Sequence, residues 1–532
     1  MLFRSNGGLN PTELRALSHK RLYRYYPFAE HTFFMLGDIN TRTLWNNNDS
    51  DPYGYMAEQR HLSELRGFDN MMRDDEGKAI VDVVEAHSYR YNRFLPPEHQ
   101  QFKFTRKDYS CLLSMLKKGA NSDLVKEWNE NRNRRDITLT LDANLQHLLQ
   151  ERMTQYIQND RKLSGNRKLR ASVVVLDASD GDLLTSSCYP LPDQKLIAAN
   201  GGKYYKDYAP DFVAFTDRDL GTTFQTQPGS TAKIMSALAG YMKLGNATSR
   251  KTYDVFQDEW VHHGEPAGTG SQAVTMERAI VRSSNNYFVH LVNDQDLYSE
   301  LDSIYRMTGI RVHINDSRNV SKTPYFFKLD PAFSYDGEMD LMRTMGIGKY
   351  TTYMTQTRQR KHERFNWRET GNAWGQHNIY ATPLNMARIA AIVACNGKLT
   401  PTRYILSVGT GEEKKTIEVS EPITLLNNTT DLRHYMQLQS DSGRSHGFPG
   451  SPGDEGRMGG KTGTAERIRD TRGHVRNDVW YICFINSEKV HHPLAIAVRI
   501  ERLPEGVMSG RAMDLVGRVV IPALNAAGYN VQ

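Results

Sequence analysis

Residues 228–239 read Pro228-Gly229-Ser230-Thr231-Ala232-Lys233-Ile234-Met235-Ser236-Ala237-Leu238-Ala239, a Pro-Gly break followed by an apolar run. The break predicts a helix starting at Ser230. Ser230 and Lys233 then lie one turn apart on one helical face, where the amine reaches the hydroxyl. A serine hydroxyl is a poor nucleophile until a base takes its proton, and a lysine serves as that base only when neutral. Such a lysine needs a depressed pKa, from burial or from a neighbouring cation. The helix N-terminus also favours negative charge developing near Ser230. The same Ser-x-x-Lys spacing recurs at Ser114-Met115-Leu116-Lys117, where nothing else supports chemistry. A helix-capping serine is the plain alternative at Ser230, so the motif needs support from elsewhere in the chain.

Two further segments supply it. Ser283-Ser284-Asn285 falls between the helical patterns Met276–Val281 and Tyr287–Val289, so a hydroxyl and an amide can point into a cleft. Read alone it is an ordinary cap or turn. Gly459-Gly460-Lys461-Thr462-Gly463-Thr464 places glycines on a strand, where backbone comes close, beside a cation and a hydroxyl suited to a carboxylate. A phosphate loop would need Gly five residues before Gly460, and position 455 is Glu.

The flanking chain predicts an α+β domain. Asp136–Asp142 alternates as a strand, and Asp142 can cap a helix carrying Leu145, Leu148, Leu149 and Met153 on one face. Ala171–Leu176 and Leu183–Thr185 form a hairpin around Gly181. Helical patterns run from Ser230 to about Val292 and across Asn385–Cys395. Strands return at Lys461–Glu466, Val479–Ile485 and Leu494–Ile500, before a terminal helix over Ala512–Ala527. Strands early and late with helices between suggest a sheet assembled from distant parts of the chain. From Asp441 to Gly460, twelve of twenty residues are Gly, Ser or Pro, which predicts a loop leading to the strand at Lys461. Arg358–Arg368 reads as a basic, solvated loop, and residues 1–135 as an irregular mixed region.

Composition narrows the classes. The 532 residues allow two to four domains and a large core. A net charge of +6, from 67 basic and 61 acidic residues with no dominant basic run, gives no support to nucleic-acid binding. Cys111, Cys188, Cys395 and Cys483 lie far apart, without metal-ligand spacing, and read as buried thiols. His262-His263 and His491-His492 are adjacent pairs that cannot chelate easily, so no metal is expected. No stretch reaches the ~18 apolar residues of a membrane span, and residues 1–8 lack the apolar centre of an export signal.

Ser-x-x-Lys, Ser-x-Asn and Lys-Thr-Gly, in this order and 53 then 178 residues apart, form the combination known from penicillin-binding proteins and serine β-lactamases. The chain resembles the class B penicillin-binding proteins, the monofunctional peptidoglycan transpeptidases. Leu139–Gln146, the hairpin Val173–Tyr189, Trp374-Gly375-Gln376 and Ala381–Ala387 extend the likeness across 136–532. Over 1–135 it is faint, through Arg24-Tyr25-Tyr26-Pro27 and Arg60–Asn70.

The resemblance implies a transpeptidase fold, an antiparallel sheet flanked by helices, over 136–532. Residues 1–135 become an N-terminal pedestal or dimerisation-like region. It implies Ser230 as acylated nucleophile, Lys233 as its proton acceptor, and Ser283 and Asn285 as proton relay and substrate holder. Lys461, Thr462, Gly463 and Thr464 form the substrate-binding strand, with the Ser230 and Thr464 N–H groups as oxyanion hole. Lys461 near Lys233 would lower the amine pKa. The implied reaction is D,D-transpeptidation of peptidoglycan stem peptides, without cofactor, with covalent capture of β-lactam antibiotics. The implied setting is cell wall synthesis for cell shape or cell division, at the extracytoplasmic face of the cytoplasmic membrane, with a membrane glycan polymerase as the partner class. The family's usual cytoplasmic tail and membrane-spanning helix are not in 1–532, so a span encoded upstream of Met1 is expected. A D,D-carboxypeptidase, a serine β-lactamase, and a non-catalytic β-lactam sensor or scaffold are the alternatives.

Overall fold

The computed structural model describes residues 22–23, 28, 31–32, 105–106, 137–164, 169–191, 226–256, 271–312, 367–376, 379–441, 446–448, 456–467, 476–490, 492–504 and 506–531. Ser114–Lys117, Cys111, His262-His263, His491, Arg60–Asn70, Arg24–Pro27 and most of the basic stretch 358–368 lie outside these residues. The chain divides into two compact units. One takes in Met1–Ala143, Leu191–Ala209 and Tyr404–Glu418, and the other Asn144–Pro190, Pro210–Arg403 and Val419–Gln532. In the first, Ile137–Leu139 and Lys415–Thr416 pair antiparallel on either side of Ile405–Val408.

The second unit holds all three motifs. Its elements in chain order begin with α1 (Ala143–Asn159) and the hairpin β1 (Arg170–Asp177) and β2 (Leu183–Tyr189). Next come α2 (Lys233–Leu244), the hairpin β3 (Thr252–Phe256) and β4 (Ser271–Thr275), and α3 (Met276–Arg282). The helices α4 (Asn285–Asp294), α5 (Tyr298–Thr308), α6 (Trp367–Trp374), α7 (Pro383–Ala394) and α8 (Thr430–Asp441) follow. Strands β5 (Met458–Arg467), β6 (Arg476–Asn486) and β7 (Pro493–Pro504) lead to α9 (Gly510–Leu515) and α10 (Ile521–Ala526).

The five-stranded sheet has the order β5-β6-β7-β1-β2, every neighbour antiparallel, so late strands join the early hairpin as the strand pattern predicts. Both faces are covered. Val173, Val175, Ile496 and Val498 share a core with Leu145, Leu149 and Met153 of α1 and with Leu515, Val519 and Leu524 near the C-terminus. All twelve residues of α7 are buried, and Thr382 caps that helix in a reciprocal box with Asn385. Strands buried on both faces lose the alternation of a one-sided sheet, which is why β1 reads as a continuous apolar run.

Two expectations are corrected. The helical stretch from Ser230 to Val292 is interrupted by the β3–β4 hairpin, whose β-branched and polar residues the helical pattern had absorbed. The loop expected up to Gly460 ends earlier, because β5 begins at Met458. Gly459 and Gly460 pair with Phe484 and Cys483. A Cβ on Gly459 would sit 2.4 Å from the Phe484 ring, and one on Gly460 2.3 Å from the Tyr481 hydroxyl. Aromatic rings of β6 thus fill the space these glycines leave, so glycine marks crowding here rather than a loop. Cys188 and Cys483 are buried and Cys395 is half-buried, all as free thiols. Among the described residues no helix is long and apolar enough to cross a membrane.

Candidate active site

Gly229–Ala232 form a single 3-10 turn, and the α-helix begins only at Lys233. The tighter turn eclipses residues i and i+3. Nζ of Lys233 accordingly lies 3.0 Å from Oγ of Ser230, the contact the spacing predicts. Gly229 has φ +55, and a Cβ there would stand 2.6 Å from the Thr464 carbonyl oxygen. Only glycine suits that conformation at that distance. Thr231 Oγ1 donates to the Pro228 carbonyl at 2.7 Å and closes the turn on itself.

Ser283 terminates α3 in the left-handed conformation, φ 64 and ψ 41, which is costly for a residue with a side chain. Ser284 then caps α4 by accepting from the Tyr287 N–H at 3.2 Å, and Asn285 opens that helix. This helix-to-helix corner turns the Ser283 hydroxyl toward both lysines. Lys233 Nζ donates to it at 3.0 Å and also to the Ser283 carbonyl, and Lys461 Nζ donates to the same hydroxyl at 3.0 Å. Ser230, Lys233, Ser283 and Lys461 therefore form one hydrogen-bonded chain across three distant segments. Lys461 also donates to the Thr462 carbonyl at 3.1 Å.

Of the remaining motif residues, Gly463 and Thr464 lie against the turn that carries Ser230. Asn285 is 2% exposed, and its Oδ1 has no hydrogen-bond partner among the described residues. A Cβ on Gly463 would be 2.7 Å from the Pro228 carbonyl oxygen and 2.9 Å from Thr231 Cγ2, so β5 passes directly against the Ser230 turn. Thr462 is half-buried, and its Oγ1 accepts from Gln439 Nε2 at 3.4 Å. Thr464 pairs with Val479 in β6.

Several supporting residues carry no motif. Gly375, φ +85, accepts a hydrogen bond from the Gly229 N–H at 2.8 Å. Ser236 Oγ donates to the Ala373 carbonyl at 2.7 Å. Trp480 Nε1 donates to the Gln227 carbonyl at 2.9 Å, and Arg499 donates to Thr226 Oγ1 at 3.3 Å while pairing with Glu501 at 2.9 Å. Arg499 is fully buried with its guanidinium 5.2 Å from the Trp480 ring centre. These contacts hold the approach to Ser230 from behind. The sequence signal for them is limited to the Trp374-Gly375-Gln376 segment; an Arg and a Trp on strands look like any others.

Electrostatically, complete burial pulls the Lys461 ammonium down to about 7. A carboxylate arriving beside it would draw the group back to its charged form. In the unfolded chain the same lysine keeps its proton up to a pH of about 10.4. Between these two values the unfolded state binds more protons, so this residue makes stability rise with pH, and below 7 the burial penalty is fully present. The melting temperature of the native chain relative to Lys461→Met is therefore expected to climb from pH 6.5 to 9, by at most ~1.4 kcal/mol of stability per pH unit. A difference that stays flat across this range would show that Lys461 remains protonated in the folded protein.

One other cluster of ligand-type side chains occurs among the described residues, Asp177 and Asp180 at the β1–β2 turn with His492, the residue before β7. Asp177 Oδ1 already accepts from the N–H groups of Ser179 at 2.9 Å and Asp180 at 3.1 Å, the bonding of an Asx turn.

Comparison with known proteins agrees with this architecture. The family model for the penicillin binding protein transpeptidase domain matches residues 171–506. Penicillin-binding protein H of Bacillus subtilis (strain 168) is 22% identical over 526 residues, covering 89% of this chain. The chain spans 60% of that relative's length. Penicillin binding protein 3 of Mycobacterium tuberculosis, complexed with ampicillin, superposes with a TM-score of 0.50 at 17% identity, over 74% of this chain and 79% of that one. PBPA of the same organism gives 0.46 at 20% identity, over 73% and 80%. With the family model matching 336 residues and all three motifs lying inside its span, the chain belongs to the penicillin-binding protein transpeptidase domain family.

Proposed function

We propose that this chain is a peptidoglycan D,D-transpeptidase that works through an acyl-enzyme on Ser230. The observation that carries the reading is the hydrogen-bonded chain from Ser230 through Lys233 and Ser283 to Lys461. The Ser283 carbonyl can only accept, so it takes an N–H of Lys233 and leaves the lone pair of a neutral amine for the Ser230 proton. Ser230 Oγ attacks the carbonyl carbon of the penultimate D-Ala, and Lys233 Nζ receives its proton. The tetrahedral oxygen is held by the N–H groups of Ser230 and Thr464. As the peptide C–N bond breaks, the leaving D-Ala amine takes a proton relayed through the Ser283 hydroxyl. An amine from a neighbouring stem peptide then attacks the ester carbonyl and restores Ser230.

In the same proposal Asn285 holds the substrate amide with its unpartnered Oδ1 and its amide N–H groups, and Lys461 with Thr462, Gly463 and Thr464 receives the terminal carboxylate. Residues 136–532 act as the transpeptidase domain and 1–135 as its pedestal, at the extracytoplasmic face of the cytoplasmic membrane beside a glycan polymerase. A fluorescent penicillin tests the reading. The adduct mass is expected on the peptide carrying Ser230 and should persist for many minutes. Rapid loss of label with drug turnover would make the chain a β-lactamase. A lasting label without exchange of D-Ala for an acceptor amine would make it a sensor.

A further inference from the structure

The last turn of α8 lies against β5, and Gln439 sits in it, 6% exposed, with Nε2 3.4 Å from Thr462 Oγ1. That turn is held independently of Gln439. Gln437 Nε2 donates to the Gly456 carbonyl at 3.2 Å, and Ser440 Oγ and Tyr481 OH lie 3.0 Å apart. Thr462 thus receives two donors, Lys461 on its carbonyl and Gln439 on its hydroxyl.

A hydroxyl has one proton to give and two lone pairs to offer. The Gln439 N–H can only donate, so it occupies a lone pair and leaves the Thr462 proton for an incoming acceptor. A donor on the oxygen also polarises the O–H and strengthens what it gives. A carboxylate in place of the amide would reverse this, taking the Thr462 proton for itself and placing a like charge beside an anionic ligand.

We propose that Gln439 is a positioning residue that sets the Thr462 hydroxyl as a donor and so determines the preference of this site for substrates bearing a carboxylate. The inference rests on the acyl-transfer reading above and adds a specificity-determining residue to it.

The test compares acylation rates of the full chain by benzylpenicillin and by its methyl ester, which lacks the anionic carboxylate. Gln439→Glu is expected to slow benzylpenicillin by roughly tenfold to hundredfold while leaving the ester within about twofold. Gln439→Met, apolar and of similar length, should cut the preference for the free acid by roughly three- to tenfold. If Gln439→Glu fails to fold, the Gln439→Met ratio decides alone. Equal slowing of both probes, or an unchanged ratio in a folded variant, would reduce Gln439 to a structural tie and overturn the proposal. Absence of any adduct with the native chain would instead overturn the acyl-transfer reading and this inference with it.

Discussion

Lys233→Arg is expected to lose β-lactam acylation nearly as completely as Ser230→Ala. A guanidinium keeps its proton at any working pH, so it cannot receive one from Ser230. Removing a general base from such a step costs about 10²- to 10⁴-fold in rate. The geometry sharpens the expectation, since Lys233 is 0% exposed and its Nζ already lies within hydrogen-bond distance of Ser230 and Ser283. A planar, bulkier group has no room to turn there. Second-order acylation rates, with circular dichroism to verify folding, read the effect. A folded Lys233→Arg that acylates within tenfold of the native rate would assign the base elsewhere, with Lys461, already drawn to about 7 by burial, as the next group to replace.

Gly375→Ala should be almost as damaging although the residue carries no chemistry. Its φ of +85 disfavours any side chain, and a Cβ would stand 2.1 Å from the Gly229 carbonyl oxygen and 2.6 Å from the Ala232 Cβ. Both obstacles are backbone or Cβ atoms and cannot swing aside. Overpacking of this kind costs about 1–3 kcal/mol, and left-handed backbone adds roughly 1 kcal/mol more. The strain falls on the turn that carries Ser230, and a displacement of about 1 Å there is enough for a loss of roughly 10²-fold in acylation. Gly506→Ala is the control, because Gly506 has φ +84 with nothing within 4 Å of its Cβ position. It should show the backbone cost alone and the native acylation rate. Equal melting temperatures and equal rates for the two variants would mean that the Gly229–Gly375 contact does not hold the turn.

Much of this was legible in the chain itself. The Pro-Gly break before Ser230 and the three-residue step to Lys233 are local, and local geometry brings their side chains together without help from the rest of the molecule. The runs at Ala171–Leu176, Val479–Ile485 and Leu494–Ile500 announce buried strands by their β-branched and apolar content, and Gly181 announces the hairpin between β1 and β2. The leading glycines of β5 misled, because composition alone does not distinguish a glycine that loosens a loop from one that admits an aromatic ring.

What tertiary structure decided is everything that depends on separation in space. Ser283 and Lys461 are 178 residues apart, yet their hydrogen bond arises because the β5 edge of the sheet passes the corner between α3 and α4. The desolvation of Lys461, the crowding at Gly375, the Arg499–Glu501 pair behind Thr226 and the donation of Gln439 to Thr462 have the same origin. A residue's type and spacing specify what chemistry it can perform and which helix or strand it joins. Its burial, charge state and partners are set by atoms from other elements, which meet it only when the sheet closes against its helices.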